Sequence, residues 1–297
     1  MNLSSLHTHT KFCDGHDDIE TLCCTAYEKG LSSIGFSSHA PIYKKTGFTS
    51  DWHIKVDAID TYLAEVRDAQ RRWAGKLRVY LGMEVDFIQG LTGPADRDYR
   101  EMGLDYIIGA VHYLIPPRGA PFTVDGPAEE FEQGMGEGFL GDSKALVQAY
   151  FDAEEEMIHA GGFDILAHPD LVKKNNAKEK WFSLEDSAFL RRFGGIASLC
   201  SACGLVVELN TGGLNRGKTQ ELYPGPHFLQ YFRAARVPVL ITADAHQASD
   251  LDGNYGTALG ALRDAGYTET VLFDGKSGGI PRWAYEPLEN FRCKAER

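Results

Sequence analysis

The sequence predicts an α/β chain whose parallel sheet is closed, or nearly closed, into a barrel. Short apolar runs alternate with amphipathic helical patterns for about seven β-then-α units. No composition break or Ser/Pro-rich linker interrupts that alternation. Histidines and carboxylates also recur directly after the apolar runs. A length of 297 residues suits one barrel domain over 1–297, large enough to bury a core without disulfides or structural metal.

In chain order, residues 3–6 read as a first short strand. Asp17 or Asp18 caps a helix with the apolar face Ile19, Leu22, Cys23 and Ala26, and Gly30 ends it. Residues 33–37 form a second strand that leads to His39. Ile59, Tyr62, Leu63, Val66 and Trp73 mark a long amphipathic helix, followed by a strand at 77–82 and then Glu84. A run at 106–111 ends at His112. Residues 113–142 are rich in glycine, proline and acidic side chains without a period, which predicts a lid-like insertion or binding loop. Helices near 143–160, 184–203, 226–235 and 255–266 then alternate with strands at 163–167, 205–209 and 237–242. Val271-Leu272-Phe273 is a candidate last strand.

With 43% hydrophobic and 24% charged residues, the composition is that of a globular protein. There is no signal-peptide pattern and no apolar run near the roughly 20 residues of a membrane span, so a cytoplasmic location and no membrane partner are expected. A net charge of −12 argues against nucleic acid as a partner. It is compatible with a small anionic substrate held by a few local cations. The six cysteines (Cys13, Cys23, Cys24, Cys200, Cys203 and Cys293) are scattered and make a poor disulfide framework. Cys200 and Cys203 have redox-motif spacing but read as buried small hydrophobes late in a helix.

Position is the decisive feature. His7 and His9 follow the first strand, and His39, Glu84, His112 and His168 follow later ones. Asp244 and His246 follow the last strand of the alternation. In a parallel barrel these ends meet at one C-terminal rim, where barrel active sites lie. In His7-x-His9, residues two apart on a strand point the same way, and Asp244-x-His246 repeats the pattern. His53, His159 and His227 are set aside. Imidazole with carboxylate suits Zn, Fe or Mn, and the lack of a thiolate set argues against a closed structural zinc site. The ligands exceed the needs of one ion. Glu84 is therefore expected to bridge two, with a bridging hydroxide as nucleophile toward a phosphate ester. Glu84, Asp244 and His246 are the catalytic candidates, the last two for the proton of the leaving alkoxide.

The motifs His7-Thr8-His9-Thr10, Gly82-Met83-Glu84, Gly109-Ala110-Val111-His112, Ala167-His168-Pro169-Asp170 and Ala243-Asp244-Ala245-His246 stand in this order along the chain. They resemble the ordered signature of the polymerase-and-histidinol-phosphatase (PHP) superfamily, from about residue 3 to residue 273. Four further stretches resemble its histidinol-phosphatase branch: Phe12-Cys13-Asp14-Gly15, Ser38-His39-Ala40-Pro41, the run from Val207 to Arg216, and Leu222-Tyr223-Pro224. The resemblance implies a distorted TIM-like barrel of seven βα units and two or three divalent metal ions. One ion would take His7, His9, Glu84 and Asp244; a second, Glu84, His112 and His168. A third would take His39, His246 and a residue of the loop after the first strand. Asp14 fits the Cys-Asp-Gly form of that motif, and His16 is the alternative or else a contact to substrate. The branch differs here in sometimes carrying serine at the position of Ala243.

The implied reaction is hydrolysis of a small phosphate monoester, in this branch L-histidinol phosphate. Arg216 is the first candidate to grip the phosphate, since a guanidinium spans two oxygens, followed by Lys174 and its neighbour Lys173. Asp125, Glu129, Glu130 and Glu132 are candidates for a cationic substrate group. The alternatives are a related phosphoesterase acting on another small ester, or an amidohydrolase-type enzyme cleaving C–N bonds. Amidohydrolases also begin with His-x-His but often bridge their metals with a modified lysine, a job for which Glu84 is available here. A non-catalytic module would tend to lose ligands, and this chain keeps the set.

Overall fold

The computed structural model describes residues 3–43, 46–177 and 180–291. Strand β1 is Ser4–Ser5. Helix α1 follows at Ile19–Glu28, and the Asp18 carboxylate caps it by accepting the N–H of Thr21 at 2.8 Å. Its apolar face of Ile19, Leu22, Cys23 and Ala26 is buried. β2 (Ser33–Phe36) is buried throughout, and α2 (Ile59–Arg72) buries Tyr62, Leu63, Val66 and Ala69. β3 (Arg78–Asp86) runs further than the sequence suggests, so Glu84 lies inside the strand and not beyond it. α3 (Arg97–Arg100) and β4 (Tyr106–Ala110) come next.

The stretch 113–142 is more ordered than its composition suggests. It holds an antiparallel pair, β5 (Tyr113–Leu114) with β6 (Phe122–Thr123), and a short helix α4 (Ala128–Gln133). A hydrophobic period is missing because only a few of its residues, such as Phe122, Phe131 and Phe139, reach the core. α5 (Ser143–Ala160), β7 (Ile165–Leu166), α6 (Ser187–Cys203) and β8 (Val206–Asn210) follow. The chain continues with α7 (Gly212–Asn215), α8 (Leu229–Ala234), β9 (Val239–Thr242) and α9 (Tyr255–Asp264). Cys200 is buried in α6 but Cys203 is exposed, so only the first behaves as a core hydrophobe. Cys293 lies outside the described residues.

The seven strands β1, β2, β3, β4, β7, β8 and β9 form one sheet in that order, every neighbouring pair parallel. Among the described residues the ring is completed only at its C-terminal rim, where Thr8 and Ala245 form an isolated parallel bridge. There His9 N–H donates to the Ala245 carbonyl at 2.8 Å and Ala245 N–H to that of His7 at 3.1 Å. The closure therefore fixes the backbone that carries His7, His9 and Asp244.

Inside the ring lies a separate core of Leu6, Tyr106, Ile108, Ala110, Ile165, Ala167, Val206 and Leu240. Tyr106 fills its centre and donates its hydroxyl proton to the Leu6 carbonyl. A Cβ at Gly35 or Gly82 would come within 2.4 Å of that tyrosine, so the large ring requires glycine opposite it. The expected last strand, Val271 to Phe273, lies in β10 (Glu269–Ser277), which pairs antiparallel with β11 (Ile280–Pro287) and not with the barrel sheet. Val271 and Phe273 join the interior core, so the hairpin plugs the ring.

Candidate metal centre

Most of the rim residues converge on Glu84. Its Oε2 lies 3.2 Å from His7 Nε2, 3.6 Å from His9 Nε2 and 3.0 Å from His39 Nδ1. Its Oε1 lies 3.1 Å from His168 Nε2 and 3.7 Å from His112 Nε2. Asp244 Oδ1 is 3.1 Å from His9 Nε2 and 3.8 Å from His7 Nε2. Beyond His9, the Asp14 carboxylate reaches His39 Nε2 at 3.8 Å and His246 Nε2 at 3.1 Å. Three groups thus offer ligand atoms mutually within 4.8 Å: His7, His9 and Glu84; Glu84, His112 and His168; and His9, Asp14, His39 and His246. A fourth comprises His39, Asp86 and His112.

The structure places Asp14 and His16 differently relative to the cluster. His16 is exposed, and its described link to the cluster is its backbone N–H on the His246 carbonyl at 2.7 Å. The Asp14 side chain, about 35% exposed, faces inward to three histidines.

Several buried atoms of the cluster lack a hydrogen-bond partner: His7 Nε2, His9 Nε2, His39 Nδ1 and Glu84 Oε2. Leaving such atoms unpaired costs on the order of 1–3 kcal/mol each. Because they all face one another, divalent metal is the ligand that satisfies them together, and the donor set fits Zn, Fe or Mn. The electrostatics agree. Burial alone would raise the Glu84 and Asp244 carboxyls, but His7, His39 and His112 around Glu84, and Arg216 with His7 around Asp244, hold both well below the usual carboxylate range. Burial together with His246 and His39 pushes His9 down to about 3, the neutral form that binds metal. An ionised Asp244 is a poor proton donor, and His246 accepts Arg216 Nη1–H on its Nδ1 at 2.8 Å.

A surrounding set of acceptors orients these rings, and sequence reasoning missed it. Glu208 on β8 takes His7 Nδ1 at 2.8 Å, the His168 N–H at 3.0 Å and Thr242 Oγ1 at 2.8 Å. Asp86 on β3 takes His112 Nδ1 at 2.8 Å. Both carried a usable signal: an acid inside an apolar strand, and for Asp86 the two-residue spacing from Glu84. Asp244 sits at the end of β9 with φ +45°, a left-handed conformation that aspartate tolerates better than most residues. Gly212 leaves room for it, since a Cβ there would lie 2.7 Å from the Asp244 side chain.

Above the cluster opens a cleft of about 710 Å³. Arg216 lines it but is already engaged, donating Nη2 to Asp244 Oδ2 at 3.0 Å and Nη1 to the Asp244 carbonyl at 2.6 Å. Lys174 also lines it and pairs with Asp125 at 3.3 Å. Lys173 is buried against Asp170 at 2.7 Å and Glu221 at 3.2 Å, away from the cleft. Of the four acids proposed for a cationic group, Asp125 and Glu130 line the cleft, whereas Glu129 and Glu132 are exposed outside it. Phe48, Trp52 and Tyr113 form an aromatic wall, with Trp52 stacked on Tyr113 at a 5.4 Å centroid distance.

Fold and site together define an α/β barrel with a histidine–carboxylate metal centre at its rim. The chain belongs to the PHP domain family, whose profile matches residues 5–212. It is 30% identical to a Deinococcus radiodurans protein named "Probable histidinol-phosphatase", over 91% of this chain and 96% of that one. It is 25% identical to the Bacillus subtilis histidinol-phosphatase, over 85% of this chain and 97% of that one. A crystal structure of histidinol phosphate phosphatase from Lactococcus lactis, in complex with Zn, L-histidinol and phosphate, matches with TM-score 0.64 at 18% identity. That match covers 95% of this chain and 99% of the other.

Proposed function

We propose that the chain is a metal-dependent phosphomonoesterase that hydrolyses L-histidinol phosphate to L-histidinol and phosphate. The convergence of four histidine Nε2 atoms and His39 Nδ1 on Glu84 and Asp244 carries the metal half of this reading. Near-full-length similarity to histidinol-phosphatases supports the substrate half. Glu84 would be shared between two ions, held with His7, His9 and Asp244 on one side and with His112 and His168 on the other; His39, His246 and Asp14 would hold a third. Divalent ions held there would supply charge neutralisation on the phosphoryl oxygens and activation of the attacking water.

The chain's own residues do the rest. Arg216 and Lys174 set positive charge at the cleft wall for the phosphate. Asp125, paired with Lys174, and Glu130 line the same cleft and would offer carboxylate to the amine, and the aromatic wall offers a flat surface to the imidazole.

The test is phosphate release by metal-loaded protein from L-histidinol phosphate against a panel of nucleotide and sugar phosphates. A strong preference for histidinol phosphate is expected, and equal rates across the panel would remove the substrate assignment. Elemental analysis of the same preparation identifies the metal and counts the ions.

A further inference from the structure

His53 belongs to none of the ligand groups, yet it is buried and hydrogen-bonded at both ring nitrogens. Its Nε2 lies 2.7 Å from Asp86 Oδ2 and its Nδ1 2.7 Å from Ser50 Oγ. An ionised carboxylate only accepts, so His53 Nε2 carries the proton and Nδ1 receives the Ser50 hydroxyl. The other Asp86 oxygen accepts His112 Nδ1–H at 2.8 Å, which turns the His112 Nε2 lone pair toward Glu84. The chain Ser50–His53–Asp86–His112 therefore has one consistent direction for every proton. It starts at the cleft wall, which Ser50 lines, and ends on a ring of the Glu84–His112–His168 group.

Asp86 also falls within ligand distance of His39 and His112 as a group of its own. Both its oxygens are taken by N–H donors, which leaves it the role of acceptor. We infer that His53 is a positioning residue for the metal held by Glu84, His112 and His168, acting through Asp86, and that Ser50 ties this device to the cleft wall. The inference rests on the metal half of the proposed function and not on the substrate.

Acceptors that orient metal-bound histidines typically contribute about 10–100-fold to metal affinity. Zinc titration of the full chain against a chelator reads each binding equivalent separately. His53→Ala, which acts through Asp86, is expected to weaken one equivalent by about tenfold, the lower end of that range, and leave the others at wild-type affinity. His53→Gln, whose amide N–H reaches the place of Nε2, should recover part of that loss. Ser50→Ala should weaken the same equivalent by less. His53→Gln and Ser50→Ala carry the test if His53→Ala does not fold. Unchanged affinities with only a lower melting temperature would overturn the inference, as would equal weakening of every equivalent. A wild-type chain that binds no zinc would overturn the metal reading itself, before any variant is compared.

Discussion

Glu208 Oε2 accepts the Nδ1 proton of His7 at 2.8 Å, although β8 and β1 are separated in the ring by β9. Its other oxygen receives the His168 backbone N–H and the Asn210 amide. One carboxylate thus orients a candidate ligand in each of the two groups that share Glu84. Glu208→Gln keeps the shape, removes the charge and turns an amide NH₂ toward one of these donors. Metal affinity should fall about 10–100-fold with modest loss of stability. Glu208→Ala should also lower stability, because the buried donors of His168, Asn210 and Thr242 lose their acceptor, at about 1–3 kcal/mol each. Metal content after dialysis against a chelator, with denaturant midpoints, separates the two effects.

Trp52 lies edge-on to His39 at 4.4 Å and face-on to Tyr113, with part of its surface open to the cleft. If that surface takes the imidazole of the substrate, Trp52→Ala should raise KM for histidinol phosphate roughly tenfold. KM for 2-aminoethyl phosphate, which has an amine but no ring, should stay near the wild-type value. Trp52→Phe should restore most of the preference. Equal losses on both substrates would show that Trp52 acts through His39 and not on the ring; metal content checks this independently.

Much of this architecture was legible because barrel strands are buried on both faces and end in polar residues at a single rim. The positions of His7, His9, His112, His168 and Asp244 followed from that alone. Glu208 and Asp86 were hidden for the same reason: an acid inside a strand reads as part of the run, and its partners lie 201 and 26 residues away in sequence. Local pattern also could not distinguish the β10–β11 plug from an eighth barrel strand. Val271 and Phe273 are buried in either arrangement, and only the antiparallel pairing of β10 with β11 decides.

Glu154, outside the candidate ligand groups, offers a pH measurement. It is fully buried on α5, its Oε1 accepts the Tyr150 hydroxyl at 2.9 Å, and its Oε2 has no partner. Burial pushes its carboxyl up to about 8 from an ordinary 4.5. Between those values the unfolded chain is ionised there while the folded chain keeps the proton. Stability should therefore fall as pH rises through this window and level off above it, by an amount on the order of a few kcal/mol. Glu154→Gln removes the titration. The variant should match wild type near pH 5 and exceed it near pH 9 in urea midpoints, and a constant difference across pH would show that Glu154 does not hold its proton.

Arg216 poses the sharpest question about the phosphate side. Its guanidinium spans the Asp244 side chain and carbonyl, and Nη1 lies 2.8 Å from His246 Nδ1. Its charge is thus spent partly on holding one ligand carboxylate ionised, as the lowered Asp244 carboxyl indicates. Removing it should act twice: through loss of a phosphate contact, and through a looser Asp244 and His246. Arg216→Ala is expected to raise KM and also to release metal more readily to a chelator. Arg216→Lys, which keeps the charge but cannot fork between two oxygens, should hold metal better than alanine while KM stays high. If alanine raises KM with metal content unchanged, the guanidinium serves the substrate alone. If metal is lost while KM at saturating metal stays at the wild-type value, Arg216 supports Asp244 and the phosphate must be met by Lys174 or the ions.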